Sequence, residues 1–145
     1  MNLDLLARKY GSDKLEHGFC AFYEGFWGPI REEVASVLEI GIADGASIRM
    51  WLEYFPNALV FGLDNGMYGD RTRWPTEEPR FEAFLGDQGN AKHLAKVAEN
   101  GPFDVVIDDG SHTMHDQQIS LGALFAHTRF YVCLLYTSPS PRDRS

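Results

Sequence analysis

Four short, largely apolar runs, each closed by glycine or aspartate, fix what this chain can fold into. They are Ser36–Gly41 (SVLEIG), Ala58–Asp64 (ALVFGLD), Arg80–Asp87 (RFEAFLGD) and Pro102–Asp109 (PFDVVIDD). Runs of this length and composition read as buried strands. Stretches of helical spacing separate them: ASIRMWLEYF, closed by Pro56, then NAKHLAKVAEN, then residues 115–125. A fifth strand begins at Arg129–Val132. Strands alternating with helices pair in parallel through right-handed crossovers, which predicts an α/β fold with an open, doubly wound sheet. Ahead of the sheet, residues 3–9 and 21–34 read as helices joined by the polar loop YGSDKLEHG. Residues 65–79, dense in Gly and Pro, read as a long loop.

Ligands of such sheets sit beyond the carboxyl ends of the strands, so the residues there are the candidates for chemistry. Strand one runs into Glu39-Ile-Gly41-Ile-Ala-Asp-Gly45, where glycines allow a tight turn and a close approach of backbone to ligand. Strand two ends in Asp64, a carboxylate placed to accept both hydroxyls of a ribose. Strand three ends in Asp87-Gln88, an acid and an amide that can read an adenine edge. The dinucleotide fingerprint needs G-x-G-x-x-G, and only Gly41 and Gly45 are present, so a pyrophosphate ligand is disfavoured and a ribose with another substituent fits better. The net charge of −8 argues against a nucleic-acid partner. No apolar run is long enough to span a membrane, no signal-peptide pattern opens the chain, and two cysteines are too few for a disulfide framework. The expected setting is therefore the cytoplasm.

VLEIGIADGAS, VFGLDN, LGDQ and FDVVIDDGSH together resemble the class I S-adenosylmethionine-dependent methyltransferases. Within them the chain looks most like the metal-dependent sugar O-methyltransferases of macrolide and rhamnosyl antibiotic pathways, a group that includes proteins labelled cephalosporin hydroxylases. KYGSDKLEHGFCAFYEGFW resembles that group's lead-in segment. The resemblance implies a Rossmann-like fold, with residues 1–35 as helical lead-in and 36–132 as the S-adenosylmethionine-binding domain. It implies that Glu39, Gly41 and Gly45 pack around the methionine part, that Asp64 holds the ribose, and that Asp87 and Gln88 lie at the adenine. The expected function is methyl transfer to a hydroxyl of a sugar or other small molecule, aided by Mg²⁺ or a similar divalent cation. The competing expectation is a non-catalytic S-adenosylmethionine-binding module or an inactive fragment.

IDDGSHTMH puts Asp108, Asp109, His112 and His115 just past strand four. The methyl sulfonium is already activated, so the remaining difficulty is making a hydroxyl nucleophilic. A cation can lower its pKa and a histidine can take its proton. By resemblance Asp109 is a metal ligand and His112 the general base, while Asp108 serves either metal or cofactor. The structural alternative is that both aspartates form a turn and cap the next helix with Ser111. His115, His93 and His127 read as surface residues, and His17 as either an acceptor-pocket or a loop residue. Phe22, Tyr23, Phe26 and Trp27 read as core.

The last segment, Cys133–Ser145 (CLLYTSPSPRDRS), changes abruptly to Ser, Pro and Arg. One permitted set of codons for Cys133–Asp143 resembles a transposase-based sequencing adapter, so 133–145 is expected to be a non-native tail and the sheet to be cut short after the start of strand five. The family's strand five ends in a Glu-Asp metal-ligand pair, whose places here hold Leu134 and Leu135. A chain lacking that pair is expected to bind metal poorly and to expose apolar sheet edge. FYVCLLYT is apolar throughout, so a strand is expected to run straight across the Val132–Cys133 junction.

Overall fold

The computed structural model describes residues 2–134. Five strands form one parallel sheet: β1 (Ser36–Ile40), β2 (Leu59–Asp64), β3 (Phe81–Leu85), β4 (Phe103–Asp108) and β5 (Thr128–Cys133), in the order β3-β2-β1-β4-β5. This is a Rossmann-like sheet, all parallel in the described residues. The chain winds outward from β1 to β3, then crosses back to lay β4 on the other flank of β1. That reversal leaves a crevice beyond the carboxyl ends of β1 and β4, the place such sheets offer to ligands.

Helices cover both faces. α1 (Leu3–Tyr10), α2 (Phe19–Trp27) and α3 (Ala46–Tyr54) lie on one side, α4 (Ala91–Ala98) and α5 (Met114–Leu124) on the other. The two-residue period of the strands divides the core. Val37, Val60, Val105, Ile107 and Val132 face α1–α3, while Leu38, Ile40, Phe61, Leu63 and Val106 face α4 and α5. On the first side Trp27 meets Trp51 edge-on at 5.8 Å and Phe55 at 5.8 Å, so the helical lead-in is bonded into the sheet's own core by aromatic packing.

The helix expected over 21–34 is corrected. α2 starts earlier, at Phe19, and stops at Trp27, giving way to a 3₁₀ turn over Gly28–Ile30 because Pro29 has no N–H for a further helical bond. The aromatic residues of α2 also divide. Trp27 is core, Tyr23 is half-buried, and Phe22 and Phe26 are 62% and 56% exposed. The loop expected at YGSDKLEHG contains a 3₁₀ turn, Asp13–His17, capped by Ser12. β5 runs through the Val132–Cys133 junction, as an apolar sequence does whatever its origin. Leu135 and the rest of the suspected tail lie outside the described residues.

Candidate cofactor site

After β1 the backbone turns at Gly41 (φ 92°) and enters α3 at Gly45 (φ 86°), both in the left-handed region that a side chain resists. Asp64, at the end of β2, holds this turn. Its Oδ2 accepts from the Ile42 and Ala43 amides at 2.7 and 3.2 Å, and its Oδ1 accepts from the Gly66 amide at 2.7 Å. A carboxylate has about four lone-pair sites. Three are spent on backbone, so Oδ1 keeps one acceptor site for a ligand hydroxyl unless the turn moves. The 65–79 loop, chemically mute as sequence, straps the same turn: Trp74 Nε1 donates to the Ala43 carbonyl at 2.6 Å and the Asp70 amide to Asp44 Oδ1 at 2.5 Å.

Two clefts flank Gly41. The first is lined by Gly41, Asp64, Tyr68, Asp87, Gln88 and Gly110, among others. Asp87 is exposed there, with Oδ1 accepting from the Gly89 amide at 2.8 Å. Gln88 is buried and tied on every side. Its Nε2 donates to Asp108 Oδ1 and Oδ2 at 3.2 and 3.3 Å and to Ser120 Oγ at 3.0 Å, and its Oε1 accepts from the Ser111 amide at 2.7 Å. A Cβ at Gly110 would overlap Gln88 Oε1. Gly110→Ala should therefore eject the Gln88 side chain and cost about 1–3 kcal/mol through the buried groups left unpaired, read as a lower urea midpoint. An unchanged midpoint would show that this clamp is not what holds the IDDG turn.

The second cleft is lined by Gly11–Lys14, by Gly41–Asp44 and by Ala46, Ser47 and Asp109. At its base sits Lys14, 1% exposed, the residue that sequence reasoning missed. Its Nζ lies 2.8 Å from Asp109 Oδ2, 3.0 Å from Glu39 Oε2 and 2.9 Å from Ser47 Oγ. Burial opposes the ammonium charge, but Glu39 and Asp109 outweigh it and hold Lys14 above the ordinary lysine range. Glu39 lies fully buried behind Lys14 and also accepts from Trp51 Nε1 at 2.9 Å. Desolvation pushes its carboxyl above the usual range despite Lys14. The one available sequence signal for Lys14 was its place in YGSDK.

Asp109 and His112 come together, with His112 Nε2 3.3 Å from Asp109 Oδ1. His112 adopts φ 63°, a left-handed conformation for which histidine is enriched. Its Nδ1 lies 3.2 Å from the Leu134 carbonyl. Both ring nitrogens thus face oxygen acceptors, and a neutral imidazole has one N–H to give. For an acceptor hydroxyl to reach a ring nitrogen of His112, one of these contacts must yield. Asp108 is fully buried, bound by Gln88, the Gly110 amide and Tyr131, and desolvation raises its carboxyl above the usual range against those bonds. The cap of α5 is Thr113, with Ser111 Oγ donating to Asp116 Oδ2 at 2.7 Å, so neither aspartate is used as the cap. His93 and His115 are exposed, and His93 Nδ1 accepts from the Asp87 amide at 2.9 Å. The side chains of His17 and His127 lie outside what is described.

Among the described residues, no group of three or more His, Cys, Asp or Glu side chains is gathered to hold a metal ion. Asp109 reaches the cleft but is paired with Lys14, and Asp108 is enclosed by its own partners. This donor set does not complete a metal shell.

Sheet order, glycine turn and strand-end acids together define a Rossmann-like fold with its site at the β1/β4 switch point. Comparison with known proteins narrows this. No protein-family profile matches the chain. The chain is 38% identical over 144 aligned positions to an 8-demethyl-8-(2-methoxy-alpha-L-rhamnosyl)-tetracenomycin-C 3'-O-methyltransferase of Streptomyces olivaceus, covering 90% of this chain and 36% of that protein. It is 39% identical to an L-olivosyl-oleandolide 3-O-methyltransferase of Streptomyces antibioticus, again covering 90% and 36%. Among solved structures it is similar to the MycE methyltransferase of mycinamycin biosynthesis in complex with Mg and SAH, with a TM-score of 0.80 and 34% identity, covering 92% of this chain and 36% of that one. The chain is thus a relative of sugar O-methyltransferases, and it spans about a third of the length of the curated relatives it matches.

Proposed function

We propose that the chain carries the S-adenosylmethionine site of a sugar O-methyltransferase, acting on a hydroxyl of a small-molecule glycoside in the cytoplasm. The observation that supports this best is the gathering of Gly41, Asp64, Asp87 and Gln88 into one cleft at the switch point of the sheet. Its relatives methylate rhamnosyl and olivosyl groups, and MycE structures hold Mg and SAH, one of them also mycinamycin VI. No helix among the described residues is long and apolar enough to cross a membrane.

In this reading the first cleft takes the nucleoside: Asp64 accepts from a ribose hydroxyl, and Asp87 and Gln88 border the adenine. Glu39 contributes at the methionine end through Lys14 rather than by lining the cleft. Asp109 orients His112, and His112 takes the acceptor's proton once released from one of its two contacts. A bound cation would lower the acceptor hydroxyl's pKa. Asp109, with Asp108 behind it, is the part of its shell that the described residues could give.

Calorimetric titration with S-adenosylhomocysteine and with NAD⁺ tests the cofactor class. Binding of the first in preference to the second is expected, and the reverse preference contradicts the reading. The alternative, a binding module without chemistry, predicts the same titration but no methyl transfer. In a preparation that transfers methyl groups, His112→Ala should lower kcat by about 10²–10⁴-fold, the range of general-base catalysis. A kcat within a few-fold of wild type would remove His112 from the chemistry.

A further inference from the structure

Lys14 is a buried cation that methyl-transfer chemistry does not itself require. An ammonium has three donors, and here all three are taken, by Glu39 Oε2, Asp109 Oδ2 and Ser47 Oγ. These partners stand on three separate elements: the end of β1, the end of β4 and the first turn of α3. Lys14 itself comes from the 3₁₀ turn of the N-terminal lead-in, whose neighbour Ser12 Oγ lies 2.9 Å from the same Ser47 Oγ. One side chain therefore fastens the Gly11–Lys14 turn across the mouth of the sheet and makes it a wall of the second cleft. Glu39 Oε1 is buried with no hydrogen-bond partner among the described residues, so the cluster keeps unused acceptor capacity. Two carboxylates against one ammonium leave a formal charge of −1, which favours a ligand that brings a positive group.

We propose that Lys14 is a positioning residue for the amino-acid end of the cofactor: by pinning the Gly11–Lys14 turn and the Asp109 carboxylate, it shapes the second cleft to receive that zwitterionic end while the nucleoside occupies the first. The inference rests on the S-adenosylmethionine reading above and deepens it. The two clefts share Gly41, so one ligand can lie across the turn with an end in each. The second cleft offers the carboxylates of Asp13, Asp44 and Asp109 to the ammonium, and the hydroxyls of Ser12 and Ser47 with the turn backbone to the carboxylate. Lys14 has no donor left for the ligand and acts through its neighbours.

The test compares S-adenosylhomocysteine with 5'-methylthioadenosine, which has the same nucleoside but lacks the amino-acid end. Binding of both is measured by calorimetry on wild type, on Lys14→Met and on the double variant Lys14→Met/Glu39→Gln. The double variant keeps the cluster's formal charge at −1 and guards against a fold lost to an uncompensated carboxylate. Both variants should bind S-adenosylhomocysteine at least about tenfold more weakly and 5'-methylthioadenosine within about twofold of wild type. Equal loss of both ligands, or of neither, overturns the inference and leaves the cofactor reading standing. Wild-type protein that binds neither ligand overturns the cofactor reading, and this inference with it.

Discussion

Lys14→Met should destabilise the fold by about 3–5 kcal/mol, the cost typical of removing one partner from a buried ion pair. Glu39 and Asp109 would remain buried with no ammonium between them, and Ser47 Oγ would lose the Lys14 contact. For a domain of this size that corresponds to a fall in Tm of roughly 10 °C. Adding Glu39→Gln should return much of the loss, because it removes the carboxylate that has no route to water. Urea denaturation of the two variants measures both effects. A loss below about 1 kcal/mol, as for an exposed pair, would mean that the Lys14 ion pairs do not hold the lead-in.

The second large effect is expected at Asp64. Asp64→Ala strips the acceptor from three backbone amides, those of Ile42, Ala43 and Gly66, as well as the oxygen left for a ribose hydroxyl. Asp64→Asn keeps the shape and one acceptor oxygen. S-adenosylhomocysteine affinity should fall about 10–100-fold in Asp64→Asn, equal to roughly 1.4–2.8 kcal/mol, and further in Asp64→Ala. If Asp64→Asn binds like wild type while Asp64→Ala does not, Asp64 acts on the turn and not on the ligand.

The strands were legible because segments buried on both faces are largely apolar along their length, and the glycine or acid at each end marks where the strand gives way to a turn. Their parallel pairing followed from the alternation with helices, whereas the order β3-β2-β1-β4-β5 is set by tertiary packing that no local pattern carries. Apolar spacing continues past Trp27 and points to a helix as far as residue 34, while Gly28 and Pro29 end α2 locally. Phe22 and Phe26 show the limit of composition: an aromatic residue names an apolar surface but not which side of the helix meets the core. The strand-end acids could be placed from the sequence, but their hydrogen bonds could not. Asp64's three backbone partners exist only once Gly41 and Gly45 have turned the chain, and Gln88's contacts depend on the bare Cα of Gly110. Lys14 was hidden for a different reason. Its burial is decided by partners as far as 95 positions away, and its place in YGSDK marks the segment but not a lysine that will find two carboxylates.

Backbone amide chemical-shift mapping on addition of S-adenosylhomocysteine tests the central claim most directly. The account predicts saturable shifts concentrated at Gly41–Gly45, Asp64–Gly66, Gly86–Gln88 and Asp109–Ser111, the turns that border the two clefts. Shifts confined to other surfaces, or none at millimolar ligand, would contradict it.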